Sequence, residues 1–422
     1  MTFRWPALSC GQWLIGLATF CLLAGCSRVL PPMQITASEA GRPAFAGAMV
    51  AYTGASVVGG NRVEILLNGD EIFPAKLRAI RSAKKTINYA QYVFEDGEAS
   101  AYVAAALAER CRAGVKVNVL VDGIGSLLMP GEYVAWMRDA GCRVETYRPV
   151  NPFTIDRLNH RNHRRILVVD GRLGITGGSG MSGKWSGNGR LPEHWRDTDV
   201  LVEGPVVEQL QGAFADSWLE ATGVVLGGSD YFPGPIGRKG NVDAQAVRSS
   251  PRGGGAAMYT MFLLAMASAR RSIHITNPYF VPDDQMIETL IASSRRGVHV
   301  VLLLPGAIDH NLVREASRSE LGRLLQAGVQ VYQYQAAMLH AKTMVVDGTW
   351  ATIGSTNLDR RSFSLNDELN LVVYDPAVAR RLEAVFEQDL ARSKRLTYEA
   401  WKGRSLFSRL MELLARPTRE QL

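Results

Sequence analysis

LHAKTMVVDGTWATIGSTN, Leu339 to Asn357, is the stretch from which this chain can be read. His340 and Lys342 stand two apart at the head of a strand-like run, so their side chains face the same way. Asp347-Gly348 is a strong hairpin turn. In the ideal two-residue register, residue 340 lies opposite residue 355, give or take one place. Ser355 and Asn357 then return beside His340 and Lys342. An imidazole, an ammonium, a hydroxyl and an amide converge on one patch. That patch suits an anion with several oxygens, such as a phosphodiester, with Ser355 and Asn357 among its binding groups. A histidine that acts as nucleophile or base needs an orienting partner. Glu368, which opens the strand-like run ELNLVVY, is the candidate.

The chain says this twice. NHRRILVVDGRLGITGGSG, Asn162 to Gly180, has the same pattern, with His163 and Asp170 in place and Arg165 where a lysine is expected. RDTDVLVEG then offers Asp197 and Asp199, and aligning the strands sets Asp197 against Glu368. Each half is expected to supply one histidine and one carboxylate to hold it. Other segments repeat in the same order. SAKKTINYAQYVF from Ser82 resembles SARRSIHITNPYF from Ser268, RAGVKVNVLVDG from Arg112 resembles RRGVHVVLLLPG from Arg295, and DAGCRVETY from Asp139 resembles QAGVQVYQY from Gln326. An offset of roughly 180 residues is a duplicated domain, not a solenoid.

Each half alternates helix and strand. Asp70 can cap a helix running to about Ala83, and KTINYAQYVF reads as a strand. Ala99 to Arg112 reads as a helix, VKVNVLVD as a buried strand, and Glu132 to Asp139 as a helix leading into CRVETY. This order predicts an α/β fold of two duplicated sandwich domains with largely parallel sheets. The expected boundaries are a first domain over 61–225, a Gly-, Pro- and Ser-rich linker over 226–255, a second domain over 256–392 and a C-terminal segment over 393–422. Residues 27–60 read as a tether with little fixed structure.

The motif HxKxxxxD followed by GSxN, present twice, resembles the phospholipase D superfamily. It is complete at His340, Lys342, Asp347, Gly354, Ser355 and Asn357. The longer runs LHAKTMVVDG, IGSTNLDRRSF, NDELNLVVYD and HWRDTDVLVEGP resemble bacterial cardiolipin synthases. The resemblance covers roughly Arg62 to Leu390. It implies two α/β/α lobes about a pseudo-twofold axis, sharing one site. It also implies catalysis without a metal or cofactor: one histidine attacks phosphorus, the other protonates the leaving alcohol, and a second alcohol takes the phosphatidyl group. By that analogy His163 is the nucleophile and His340 the acid. The first copy departs from the pattern. Arg165 keeps the charge and can clasp phosphate through a planar fork. Gly178 and Gly180 replace a serine and an asparagine. Asp170 and Asp347 have either a direct catalytic role or a turn and ion-pair role.

The first residues bear on location. Arg4 precedes an apolar run of about 13 residues from Trp13, short of the ~20 needed to span a bilayer. The run ends in LAGC, Leu23 to Cys26, which resembles a bacterial lipobox. That implies cleavage before Cys26, lipidation of Cys26, and a lipoprotein in the bacterial cell envelope facing the periplasm, at either membrane. Cys111 and Cys142 remain, as a disulfide or as buried thiols. No Cys/His cluster has zinc-ligand spacing. The C-terminal run EAWKGRSLFSRLMELLARPTR places Trp401, Leu406, Leu410, Leu413 and Leu414 near one helical face, either a membrane-surface helix or one packed on the domain. Tyr92 with Phe94, and Tyr279 with Phe280, are either core or site lining.

The 422 residues are 47% hydrophobic, enough for ordinary cores, and the net charge of +7 is compatible with an anionic partner. No extended Lys/Arg run follows a polyanion, which counts against a nuclease. The leading expectation is phosphatidyl transfer that makes cardiolipin from phosphatidylglycerol, with phospholipid as partner and no nucleic acid. Hydrolytic phospholipase D, a metal-independent nuclease and a non-catalytic lipid-binding scaffold are the alternatives.

Overall fold

Two Asp-Gly turns organise the sheet. Asp170 and Gly171 take φ of 52° and 62°, and Asp347 and Gly348 take 54° and 63°. Two successive left-handed residues reverse the chain with the twist that the flanking strands need. Each aspartate is fixed there by its carboxylate. Asp170 accepts from the backbone N–H of Lys84, Lys85 and Thr86, and Asp347 from those of Arg270, Arg271 and Ser272. Each hairpin is thereby tied to the start of the next strand in the sheet. The pairing Thr343↔Ile353 sets the second hairpin one residue away from the ideal register.

The computed structural model describes residues 33–36, 38–40, 42–150, 159–251, 256–308, 311–405, 409 and 411–412. The described residues from Thr36 onward belong to one compact unit. Its strands are β1 (Val58–Leu67), β2 (Thr86–Gln91), β3 (Lys116–Asp122), β4 (Arg143–Tyr147), β5 (Ile166–Val169), β6 (Leu173–Gly177), β7 (Thr198–Glu203), β8 (Val242–Ser249), β9 (Ser272–Thr276), β10 (Phe280–Val281), β11 (His299–Pro305), β12 (Gln330–Tyr334), β13 (Thr343–Val346), β14 (Trp350–Gly354), β15 (Leu358–Asp359), β16 (Glu368–Val373) and β17 (Ser393–Leu396).

Fifteen of these form one sheet ordered β4-β3-β2-β5-β6-β7-β1-β8-β16-β14-β13-β9-β11-β12-β17. Without β17 the order is a palindrome of equivalents: β4 answers β12, β2 answers β9, and β7 answers β16. The halves meet where β1 runs antiparallel to β8 through Val58↔Ala244 and Asn61↔Val242. A twofold axis normal to a sheet requires that antiparallel seam.

The α/β class and the duplication expected from the sequence are present. The largely parallel pairing is corrected. Within the fifteen-stranded sheet of the described residues only β2-β3-β4 and β9-β11-β12 are parallel, and the separate pair β10-β15 is parallel too. The Asp-Gly hairpins and the strands beyond them pair antiparallel, because a tight turn can only return the chain antiparallel.

Helices cover both faces. Alternate residues of β2 point opposite ways: Ile87 and Tyr89 pack with Ile80, Leu107 and Met137, while Ala90 lies in the cluster of Leu210, Phe214 and Trp218. That second cluster also takes Ala351, Ile353 and Leu371 from the other half, so one core runs beneath both.

Three boundaries read from composition move. Within the expected tether, Pro43–Thr53 is a helix and Val58–Gly60 begins β1. Phe45 is fully buried there, edge-on to Trp350 at 6.2 Å and Tyr374 at 6.3 Å. Burying one such ring is worth about 1.5–3 kcal/mol, enough to hold a short helix on the domain. Within the expected linker, β8 lies at the centre of the sheet between β16 and β1. In the C-terminal segment, β17 pairs antiparallel with β12, and Trp401 Nε1 donates to Arg318 O at 2.8 Å. Leu406, Leu410, Leu413, Leu414 and Cys26 lie outside the described residues. Among the described residues no helix is long and apolar enough to cross a membrane.

Candidate active site

Both motif histidines sit just before a hairpin strand, and each is held by backbone from the other half. His163 N donates to Asp367 O at 2.9 Å, and Asp367 N donates to Arg161 O at 2.9 Å. In the mirror relation, His340 N donates to Arg196 O at 2.7 Å and Arg196 N to Met338 O at 2.8 Å. Each histidine therefore lies beside the carboxylate that opens the opposite half's strand. His163 Nδ1 is 2.9 Å from Glu368 Oε1, and His340 Nδ1 is 2.7 Å from Asp197 Oδ2. The expectation that each half holds its own histidine is thus corrected: the partners are exchanged. The physical reason is the two short bridges, Asn162↔Asp367 and Arg196↔Leu339, which join the halves at these segments.

Buried guanidinium groups fasten the crossing. Arg164 donates to Ala213 O, Ser217 Oγ and Ser249 O, at 2.9–3.0 Å. Arg196 is paired with Asp389 at 3.0 Å, and Arg161 donates to Arg148 O at 3.1 Å and His160 O at 2.8 Å. Sequence reasoning missed these three, although each immediately flanks a histidine or a carboxylate in HRNHRR, His160 to Arg165, and HWRDTD, His194 to Asp199.

The cation of each motif turns onto its own histidine. Arg165 Nη1 donates to His163 O at 2.7 Å, and Nη2 lies 3.1 Å from His163 Nε2. Lys342 Nζ donates to His340 O at 2.6 Å and lies 3.0 Å from His340 Nε2. The carboxylate at each Nδ1 fixes the tautomer, with the proton on Nδ1 and the lone pair on Nε2; Arg165 meets that lone pair on His163, whereas Lys342 lies against the His340 ring, 2.9 Å from Nδ1 and 3.0 Å from Nε2. Arg165 Nε is buried with no hydrogen-bond partner among the described residues.

The electrostatics follow from burial. Desolvation pulls His340 down to about 3, helped by Lys342, and pulls His163 well below its ordinary value, helped by Arg165 and then Lys342. Lys342 acts on His163 and Arg165 acts on His340, so both motifs share one electrostatic environment. Asp197 is held below the usual carboxylate range by His340, against its burial. Burial pushes Glu368 up to about 7. Two buried cations over two neutral imidazoles make a site for an anion.

The remaining expected residues divide. Ser355 Oγ donates to Glu368 Oε2 and accepts from Leu369 N at 3.0 Å, so its hydroxyl is committed to the carboxylate. Asn357 is buried beside it, with Oδ1 unpartnered among the described residues. Asp170 and Asp347 are not brought to the histidines; they cap strand starts at the opposite ends of β5 and β13. The aromatic pairs split as well. Phe94 and Phe280 are core. The Tyr92 ring lies edge-on to His163 at 4.8 Å, and that of Tyr279 edge-on to His340 at 6.2 Å. Trp185 and Trp195, which the sequence reading did not single out, flank His340 at 5.2 and 5.3 Å.

Known proteins resemble this chain in sequence and in fold. A family profile described as "Cardiolipin synthase, PLD-like domain" matches residues 77–218 and 263–390. Cardiolipin synthase 1 of Bacillus cereus is 34% identical over 361 residues, covering 84% of this chain and 71% of that protein. The major cardiolipin synthase ClsA of Bacillus subtilis is 34% identical over 360 residues, covering 84% and 74%. Among solved structures, phosphatidylserine synthase of Haemophilus influenzae shares the fold at a TM-score of 0.67 and 15% identity, covering 90% of this chain and 100% of that one. Polyphosphate kinase of Porphyromonas gingivalis does so at 0.53 and 13%, covering 86% and 54%. With its two matched halves and relatives 34% identical over 84% of its length, the chain belongs to the cardiolipin synthase, phospholipase D-like domain family.

Proposed function

We propose that this chain is a phosphatidyltransferase that makes cardiolipin from phosphatidylglycerol through a phosphohistidine. The observation that carries this is the pair of histidines, each presenting Nε2 beside a buried cation and each held at Nδ1 by the other half's carboxylate. In the first step His163 Nε2 bonds to phosphorus and the bond from phosphorus to the headgroup glycerol breaks. The leaving oxygen takes a proton from His340. In the second step the headgroup hydroxyl of another phosphatidylglycerol gives its proton to His340 and attacks phosphorus, and the bond to His163 breaks. Arg165 and Lys342 offset charge on the phosphate oxygens, and Asn357 lies within the same buried cluster. An anionic phosphate also offsets the two cations that depress the imidazoles, which lets His340 hold the proton it must donate. Asp197, ionised and bonded to His340, supports that imidazolium. Family membership favours transfer over hydrolysis.

The same reading places the protein at a membrane. Ile124, Leu127 and Leu128 are on a loop after β3, and the two leucines are 69% and 72% exposed. The loop is pinned to Tyr92: Ser126 Oγ donates to Tyr92 O at 2.8 Å, and Gly125 sits against the ring. An apolar tip beside the site suits acyl chains. For location in the envelope, the support is LAGC at Cys26 and the Cys111–Cys142 disulfide, which fits an oxidising compartment.

The decisive experiment is lipid mass spectrometry after expression in a cardiolipin-free bacterial host. Cardiolipin should appear with the wild type and be absent with His163→Ala. Phosphatidic acid in its place would make the protein a hydrolase.

A further inference from the structure

The first motif lacks two side chains that the second uses. Gly178 stands where Ser355 does, and Gly180 where Asn357 does. In the second half the Ser355 hydroxyl holds Glu368, the carboxylate that orients His163. The equivalent carboxylate, Asp197, has no room for such a neighbour. A Cβ on Gly178 would collide with its Oδ1 and lie 3.0 Å from its Cγ.

Asp197 instead takes its donor from elsewhere. Trp185 Nε1 donates to Asp197 Oδ2 at 2.8 Å, the same oxygen that meets His340 Nδ1. The indole also fills the space at position 180: a Cβ on Gly180 would lie 2.8 and 2.9 Å from its Cζ3 and Cη2. The ring then lies edge-on to His340, at 84° and 5.2 Å between centroids. Trp195, tilted at 58° and 4.6 Å, packs on the ring, and Ser182 caps the short turn that carries it.

We propose that Trp185 is a positioning residue for His340. Its N–H does for Asp197 what the Ser355 hydroxyl does for Glu368, and its ring occupies the space that the asparagine would need. Gly178 and Gly180 are then the counterpart of this indole and not marks of a decayed half-site. The proposal rests on the reading of the site as phosphatidyl-transferring.

Replacement of Trp185 by β-(3-benzothienyl)alanine in the full chain tests the N–H alone, because sulfur replaces it within the same shape. The expected loss is about ten- to a hundredfold in kcat with KM little changed. Removing a competing donor concentrates charge on Asp197 and favours the imidazolium. The limb of the pH–rate profile that belongs to His340 should therefore move to higher pH. A second test is the cycle of Gly180→Asn and Trp185→Phe. Phe lacks the two indole carbons that come nearest to position 180, leaving Val93 Cβ at 3.1 Å, so Gly180→Asn should cost less, in kcat and in Tm, in the Phe background than in the wild type. Full activity of the benzothienyl variant with an unmoved profile, or strictly additive losses in the cycle, would overturn the proposal. A wild type without phosphatidyl transfer would instead overturn the functional reading, and the Tm cycle, which needs no substrate, would still decide the steric claim.

Discussion

Arg165 and Lys342 satisfy the same two acceptors, a backbone carbonyl and a histidine Nε2, with differently shaped heads. Arginine divides the work between two nitrogens, while lysine does it with one. Arg165→Lys should therefore keep measurable activity, and Arg165→Ala should lose about 2–4 kcal/mol of transition-state stabilisation, very roughly 30- to 1000-fold in rate. Steady-state turnover of phosphatidylglycerol by the two variants checks this, and a wild-type rate from Arg165→Ala would remove Arg165 from the site. The buried imidazoles also make a pH prediction. The folded chain holds His340 near 3 against an ordinary value of 6.5. For a depressed histidine the unfolded chain takes the proton first, so the stabilisation is complete above 6.5 and is lost as pH falls below it. Glu368, raised from 4.5 to about 7, works the other way, its contribution complete below 4.5 and lost as pH rises through 7. A comparison of the wild type with His340→Gln isolates the histidine. From pH 6.5 to about pH 5 the wild type should lose about 2 kcal/mol more stability than the variant. Denaturant midpoints at the two pH values measure it, and equal slopes would refute the buried neutral imidazole.

At the scale of elements, two connections carry consequences. The disulfide joins Cys111, in the helix Glu98–Arg112, to Cys142 at the start of β4, with Cα atoms 5.6 Å apart. Closing a loop of this size is worth about 2–4 kcal/mol. Reductant should lower the thermal midpoint of the wild type and leave that of the Cys111→Ala/Cys142→Ala double variant unmoved; equal insensitivity of both would mean that the thiols are free. The loop carrying Leu127 and Leu128 makes a different prediction. Leu127→Ser/Leu128→Ser should reduce transfer in phosphatidylglycerol vesicles about tenfold or more, while transfer between dispersed short-chain lipids stays near wild type. Burying two leucine side chains is worth about 3–6 kcal/mol at most, so the expected loss is well within reach. The exposed pair Leu219 and Val225, changed to Ser, is the control. An equal loss in the control would show that the loop has no special contact with the bilayer.

For the whole molecule the exchanged carboxylates matter most. Neither half holds a complete site: residues up to 225 contain His163 without Glu368, and the remainder contains His340 without Asp197. Fragments divided near Gly234, in the connection between β7 and β8, should each be inactive, and co-expression should restore transfer. Transfer by either fragment alone would contradict the shared site. The dependence is built into the seam, where β1 meets β8 and one core runs under both halves.

The duplication, the α/β class, the two hairpins and the grouping of each histidine with its cation were legible in the sequence alone. Those follow from local pattern: alternation along a strand, an Asp-Gly turn, and a motif repeated in order. The sequence did not determine which carboxylate serves which histidine. That choice depends on bridges between residues far apart in the chain, Asn162 with Asp367 and Arg196 with Leu339, which local spacing cannot encode. Nor could it locate β8, because a central strand in a glycine-rich stretch looks like a linker until its neighbours are known. Trp185 was hidden for the same reason. Its role is defined by the space left at Gly178 and Gly180, and that space exists only once β6 and β7 have brought those residues, Asp197 and the indole together.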